Sequence, residues 1–367
     1  MNDALAAFRD VFPALERWVW LNTPTVPPAA RPVLEALRRA EAEWEAGEFS
    51  WQAWEAEGEV TREQFARLIG AAGGTVALTT SLSECAATVA ASLPTGKVVV
   101  GEREFRSNLA PWLALRRRGF AVTEVPAKDG VVRTEDLVGA IDDTTVLMAI
   151  SEVQSSNGFR VRLGDLAARC KEHGARLFVN ATQSLGALRV DAGALGIDYL
   201  GCHGYKWLLA PRGAAWLYVR PDRLEELQPL APNWHSVPDP YEDYYGEAPL
   251  AEDARKLDAS WPWFSFVGAR AALDLHLSLD RAAVEKRCLE LAAAFREEAS
   301  SRGFDLVPED EPTQIIGVRI PDAGAVRERM KERRVLAAVR GGFLRLGFHA
   351  FNNEDDVVTA LDALGRS

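Results

Sequence analysis

Three short runs in this 367-residue chain combine residue types that can do chemistry. The first is Gly201-Cys202-His203-Gly204-Tyr205-Lys206-Trp207-Leu208-Leu209-Ala210-Pro211-Arg212-Gly213, which sets one lysine among aromatic, apolar and glycine residues just after an apolar stretch. Burial disfavours the charged ammonium, lowers the amine's pKa and suits Schiff-base chemistry with a carbonyl. A lysine that snorkels its ammonium back to water is the other reading of the same run. The second run is Phe178-Val179-Asn180-Ala181-Thr182-Gln183-Ser184, where polar residues alternate at the end of a β-rich stretch and so face one ligand together. Asn180, directly after Leu177-Phe178-Val179, costs free energy unless its amide is hydrogen-bonded, although Asn and Thr also serve as plain turn formers. The third run, Thr79-Thr80-Ser81-Leu82-Ser83-Glu84, has Ser81 and Glu84 at capping-box spacing before a helix over 85–91. Free amides at such a helix start cradle a phosphate, or the run simply caps a helix.

The elements that must position these residues alternate in a β-α-β rhythm. Strands are predicted at 76–80, 97–101, 121–126, 145–151, 176–180, 199–202 and 214–219. Several are continuous apolar runs, which is how strands buried on both faces read. A helix over 163–173 ends at Gly174. The rhythm implies an α/β fold with a mostly parallel, doubly wound sheet whose ligands sit at the carboxyl ends of the strands. From about residue 250 the pattern changes to one long helical run, 268–302, then strands near 315–320 and 342–348 and a last helix from Glu354. We therefore expect a large domain over 14–245 and a smaller α+β domain over 246–367, joined by residues 1–13. The Pro-, Tyr- and Asp-rich stretch 231–245 reads as an ordered surface loop.

Composition narrows the functions. The chain is 48% apolar and 26% charged, with 53 acidic against 42 basic residues and a net charge of −11. This is ordinary globular composition without the basic surface that duplex nucleic acid or an anionic bilayer demands. The one basic run, Arg116-Arg117-Arg118, reads as cations at a helix C-terminus. No apolar stretch reaches membrane-spanning length and the N-terminal residues lack a signal-peptide core, so a cytoplasmic protein is expected. Cys85, Cys170, Cys202 and Cys288 form no C-x-x-C pair, and the five histidines show no ligand spacing, so no metal is expected.

Taken in order, the three runs resemble the class V aminotransferase family of fold-type I pyridoxal 5'-phosphate enzymes. That family includes cysteine desulfurases, kynureninases, isopenicillin N epimerase-like enzymes and C–S lyases. The resemblance extends from Leu21-Asn22-Thr23 to Phe351-Asn352-Asn353. Its most specific part is Gly204-Tyr205-Lys206-Trp207 with Ala210-Pro211-Arg212-Gly213, following Ala181-Thr182-Gln183-Ser184-Leu185-Gly186. It implies that Lys206 holds the cofactor as a Schiff base and moves the substrate α-proton. By the same resemblance, backbone groups of Leu82 and Ser83 hold the phosphate, with His203 and Tyr205 adding side-chain contacts. Phe105 stacks on the pyridine ring, Gln183 bonds the phenolic oxygen, and Ser155 stands where relatives place an asparagine for that oxygen. Arg345 grips the substrate α-carboxylate with its planar fork, and Asn22 lies near the substrate. Ser260-Trp261 reaches the phosphate from a partner subunit, which implies a homodimer with a shared site and an amino acid as substrate.

Two departures narrow the activity. Relatives write Val-Asp-Ala where this chain has Val179-Asn180-Ala181; the usual aspartate keeps the pyridine nitrogen protonated and the ring a strong electron sink. Either the chemistry needs only a weak sink, or the chain is an inactivated variant, or another acid substitutes. Desulfurases also carry a nucleophilic cysteine shortly before the carboxylate-binding arginine, whereas this chain has Val339-Arg340-Gly341-Gly342-Phe343-Leu344. Phe105 likewise replaces a histidine common in desulfurases. The expectation is an aminotransferase or epimerase-like enzyme acting at the α-amino group or Cα. The alternatives are a C–S lyase that eliminates a thiol without a protein persulfide, and a cofactor-binding homologue with altered catalysis. The aromatic residues Trp44, Phe49, Trp51, Trp54, Trp234, Tyr241, Tyr244, Tyr245, Trp261, Trp263 and Phe264 line a pocket for a bulky amino acid, or else they serve core and interface packing.

Overall fold

Seven strands predicted from apolar runs do form one sheet in the computed structural model, which describes residues 3–242 and 244–365. Residues 1–2 and 366–367, the ends of the expected small domain, and Asp243 of the 231–245 loop lie outside the described residues. Among the described residues the strands are β1 (Val19–Trp20), β2 (Val76–Thr79), β3 (Lys97–Gly101), β4 (Ala121–Val125), β5 (Thr145–Ser151), β6 (Arg176–Asn180), β7 (Tyr199–His203), β8 (Ala215–Val219), β9 (Ile315–Arg319), β10 (Val335–Leu336), β11 (Ala338–Arg340) and β12 (Phe343–Gly347). The helices are α1 (Asp3–Asp10), α2 (Arg31–Ala46), α3 (Trp51–Leu68), α4 (Leu82–Ser92), α5 (Arg106–Ala114), α6 (Thr134–Gly139), α7 (Leu163–Glu172), α8 (Trp263–Leu277), α9 (Arg281–Ser301), α10 (Ala323–Glu332) and α11 (Glu354–Leu364).

The large sheet runs β2-β8-β7-β6-β5-β3-β4. Every pair from β7 to β4 is parallel, and only β8 runs against its neighbours. Residues of β2, β6, β7 and β8 are buried almost throughout because helices cover both faces. The carboxyl ends of β2, β5, β6 and β7 therefore open on one edge, where the three chemical runs emerge. A second core gathers Leu21 with Leu291, Phe295, Ile316, Leu346, Phe348 and Leu361, around the antiparallel sheet β11-β12-β9.

One expectation is corrected here and another holds. The long helix expected over 268–302 is two helices, because Asp280 turns its carboxylate onto the Ala282 amide and caps a new start. The first of the two, α8, shares the core of the large sheet through Phe266, Ala269, Ala272 and Leu273. The basic run 116–118 does lie at a helix C-terminus: a 3₁₀ turn over Leu115–Arg118 carries α5 on to Gly119, and Arg118 also donates to the carbonyls of Ala90 and Ala91 in the last turn of α4.

Candidate active site

Lys206 follows β7 by three residues and stands in a cavity lined by Ser81, Leu82, Ser83, Phe105, Ser155 and Asn180, with Gln183, His203, Tyr205 and Arg212 closing it. Nine of the residues singled out in the sequence thus converge: Leu82, Ser83, Phe105, Ser155, Asn180, Gln183, His203, Tyr205 and Lys206. Four lining residues were not singled out: Ser81, Ser107, Thr182 and Arg212. Ser81, Thr182 and Arg212 lie within the three runs quoted above, and Ser107 lies two residues after Phe105. The alternation of Asn180 with Thr182, and a cation in the Pro211-Arg212-Gly213 turn, were the available signals.

The lysine is only 6% exposed. Among the described residues its ammonium has no hydrogen-bond acceptor and no carboxylate; it lies 5.4 Å from the Phe105 ring centroid and 5.7 Å from that of Tyr205. Burial, with the nearby Arg345 cation, lowers its pKa to about 7. The snorkelling reading therefore fails. Its loop is held from two sides. Gly186 has φ +109°, and a Cβ there would stand 2.3 Å from the Trp207 carbonyl oxygen, so glycine is needed for this approach. Below it, His349 accepts the Ala350 amide on Nδ1 (2.8 Å), which leaves the proton on Nε2 to donate to the Trp207 carbonyl (3.2 Å).

That support carries a pH dependence. Burial lowers His349 to about 3 and His276 to about 4, with Arg281 adding to the latter shift and His276 to the former. Both take up protons more readily when unfolded, so the stability they contribute is present above the ordinary histidine value of 6.5 and is lost as pH falls toward 4. The melting temperature is expected to drop across that interval. A His276→Gln/His349→Gln variant, followed by calorimetry, should lose that part of the slope.

At the start of α4, Ser81 is the N-cap and its hydroxyl accepts the Glu84 amide at 3.3 Å. The expected capping box is displaced: Glu84 takes the amide and hydroxyl of Thr80, both at 2.7 Å, rather than the amide of Ser81. Among the described residues the amides of Leu82 and Ser83 have no partner. His203 Nε2 is buried without a partner, and burial beside Lys206 and Arg212 lowers its pKa to about 4. Two free amides at a helix start, two serine hydroxyls, a neutral imidazole and the exposed Arg212 make a donor set that fits a phosphate. The half-exposed Phe105 ring and the free Lys206 amine beside it fit a pyridine aldehyde.

Arg345, on β12, is 3% exposed and reaches the cavity wall through Ser155. Its Nη1 donates to the Ser155 carbonyl and, at 3.3 Å, to Ser155 Oγ; its Nη2 donates to Thr25 Oγ1 at 2.8 Å. No carboxylate pairs with it among the described residues, and Nε is buried without a partner. Asn22 lies in the loop that carries Thr25, its Oδ1 buried and unpartnered, but it does not line the cavity.

One assignment changes. Gln183 is committed within the chain: Nε2 donates to Pro24 O and Ser155 Oγ, each at 3.0 Å, and Oε1 accepts from Trp207 Nε1 at 2.9 Å. Ser155 Oγ accepts two donors, so its own proton is the one free to meet a ligand oxygen. Trp261 does not line this chain's own cavity; it stacks on His235 at 3.8 Å, is 4% exposed, and packs against Gly58 of α3, where a Cβ would meet the indole at 2.6 Å, while Ser260 before it is exposed. The other aromatic residues also lie apart from the lysine: Trp51, Trp234, Tyr244 and Trp263 line a separate open hollow, with Trp54 packed behind.

All four cysteines are buried, and burial raises each thiol's pKa; Cys85 and Cys170 reach about 12. The link before Arg345 is a tight hairpin whose two turn residues, Gly341 and Gly342, both have positive φ.

The sequence pattern of the aminotransferase class-V family matches residues 32–358, and the chain belongs to that family, whose cofactor is pyridoxal 5'-phosphate. An uncharacterised aminotransferase of Bacillus subtilis is 28% identical over 363 residues, covering 97% of this chain and 96% of its own length. Isopenicillin N epimerase of Streptomyces clavuligerus is 28% identical over 335 residues, covering 83% and 82% respectively. Among solved structures, a cystine C–S lyase determined with its product cysteine persulfide superposes with a TM-score of 0.86 at 19% identity, covering 96% of this chain and 98% of that one. Cysteine desulfurase from Thermococcus onnurineus gives 0.84 at 20%, covering 98% and 96%. The architecture is that of the fold-type I enzymes.

Proposed function

We propose that this chain is a pyridoxal 5'-phosphate enzyme acting at the α-amino group or Cα of an amino acid, as an aminotransferase or an epimerase-like enzyme. The observation that carries the reading is Lys206, a buried amine lowered to about 7 with no carboxylate partner, set between a phosphate-fitting helix start and an unpaired arginine. When bound, the cofactor supplies an electron-withdrawing ring joined to the substrate nitrogen. The α4 amides, His203 and Arg212 hold the phosphate, Phe105 covers the ring, and the Ser155 hydroxyl faces the phenolic oxygen. Lys206 Nζ takes and returns the α-proton while Arg345 orients the carboxylate. The buried, raised-pKa thiols and the glycine hairpin argue against persulfide-forming desulfurase chemistry. The exposed aromatic surface of Trp44, Phe49, Tyr241, Tyr244 and Tyr245 supports a homodimer, checked by light scattering.

The test is a visible spectrum of the purified protein before and after borohydride, with peptide mapping of the fixed adduct. A band fixed onto Lys206 supports the reading; a protein that stays colourless with excess cofactor overturns it. Amino acids are then screened for keto-acid-dependent amino transfer, change of configuration, and release of pyruvate with ammonia. Loading of the apoprotein should also depend on pH. Condensation needs the neutral amine, so the rate should rise through about pH 7 and level off above it, whereas an ordinary lysine keeps rising toward 10.5.

A further inference from the structure

Asn180 closes β6 at the cavity wall, and its amide is held in one sense by a run of hydrogen bonds that leads away from the cavity. Its Oδ1 accepts the Thr182 amide at 3.0 Å, and its Nδ2 donates to Ser151 Oγ at 2.7 Å. Ser151 Oγ donates to Glu104 Oε2 at 2.6 Å, while Glu104 Oε1 accepts the Ser151 amide at 2.7 Å. Glu104 Oε2 also accepts from Asn108 Nδ2 at 2.8 Å, and the sense of that amide is set by the Trp112 indole, which can only donate, at 3.4 Å from Asn108 Oδ1. Turning the Asn180 amide over would set Nδ2 against the Thr182 N–H. It would also set Oδ1 against the lone pairs of Ser151 Oγ, whose hydroxyl already donates to Glu104. Both bonds would be lost in a buried setting, which is costly. The orientation is therefore fixed, and among the described residues one of the two Nδ2 protons has no partner.

We infer that Asn180 donates this spare proton to the ring nitrogen of the cofactor and so holds the ring neutral, with Ser151 and Glu104 fixing the amide in that sense. The inference rests on the proposal that pyridoxal 5'-phosphate is carried on Lys206. A pyridine nitrogen is weakly basic, and an N–H donor occupies its lone pair without supplying a proton or a countercharge. Among the described residues that line the cavity none is an acid. Glu104 is buried behind Ser151, where its oxygens are already shared by three donors. The departure at residue 180 is then a working arrangement. A neutral ring draws away less of the electron pair left at Cα, which favours return of the proton to Cα over amino transfer.

The experiment is ¹⁵N NMR of the holoenzyme loaded with cofactor labelled at the ring nitrogen, for the unaltered protein and for Asn180→Asp. Borohydride fixation onto Lys206 serves as a separate measure of loading. The expected result is an unprotonated, hydrogen-bonded pyridine shift in the unaltered enzyme, constant across neutral pH, and a move to the pyridinium position in Asn180→Asp. A protonated ring nitrogen in the unaltered, loaded enzyme overturns the inference and leaves the cofactor reading intact. So does a shift that Asn180→Asp leaves unmoved, because residue 180 would then not face the nitrogen. Failure of the unaltered protein to load overturns both. The measurement on the unaltered enzyme stands even where the variant does not fold.

Discussion

Lys206→Ala is expected to give a folded protein that borohydride no longer labels, with turnover of any substrate lowered on the order of 10³-fold or more, since one side chain supplies both the covalent anchor and the proton carrier. Added amines should not restore the anchor, although they can partly restore proton transfer. The same residue has an opposite effect on the apoprotein. Its folded pKa of about 7 lies below the ordinary lysine value of 10.5. Folding therefore disfavours the ammonium, and the penalty is absent above about pH 10.5, grows as pH falls, and is complete below about pH 7. Replacing the amine with a thioether of similar length, Lys206→Met, should raise the apoprotein's melting temperature at neutral pH. The gain, on the order of a few kcal/mol, should vanish toward alkaline pH. A Lys206→Met apoprotein less stable than the parent at pH 7 would show that the amine has a partner that stabilises it.

Much of this was legible in the sequence, for identifiable reasons. Strands β3, β5 and β6 run over the residues expected of them because they are buried on both faces, so their apolar runs have sharp ends. The helix ends at Gly174 and Asn353 were equally plain, since a positive φ of +67° and a full capping box leave few alternatives. What could not be read is what depends on distant pairing. The Ser155 bond to Arg345 spans 190 residues, and nothing local in either segment announces it. The commitment of Gln183 to Pro24 and Trp207 likewise appears only once three elements are packed. The packing of Trp261 on His235 and against Gly58 of α3 likewise joins distant segments. The break at Asp280 was readable in principle as an N-cap, but the strong helix formers on either side of it masked the signal.

Arg345→Lys is expected to lower kcat/KM about 100-fold, chiefly through KM. The planar fork can make two charge-assisted bonds to a carboxylate, each on the order of 1.5 kcal/mol, and an ammonium cannot reproduce the pair. Cost points to a substrate carboxylate as the partner. Burial and the Arg340 cation together lower the Arg345 pKa to about 10, so it is still charged at neutral pH. A buried cation paired with no anion is a liability that folding alone would not retain. Its neighbours, the Ser155 carbonyl and hydroxyl and Thr25 Oγ1, aim the guanidinium without neutralising it. Arg345→Leu separates function from stability: it should abolish saturation by amino acids while leaving the apoprotein at least as stable. If Arg345→Leu instead unfolds the protein while Arg345→Lys keeps the parent's KM, the arginine is a structural cation and the carboxylate must bind elsewhere. An amino-acid amide, which lacks the carboxylate charge, gives the complementary test. It should react poorly with the unaltered enzyme and lose little further rate in Arg345→Lys, because the interaction the substitution removes is one the amide never made.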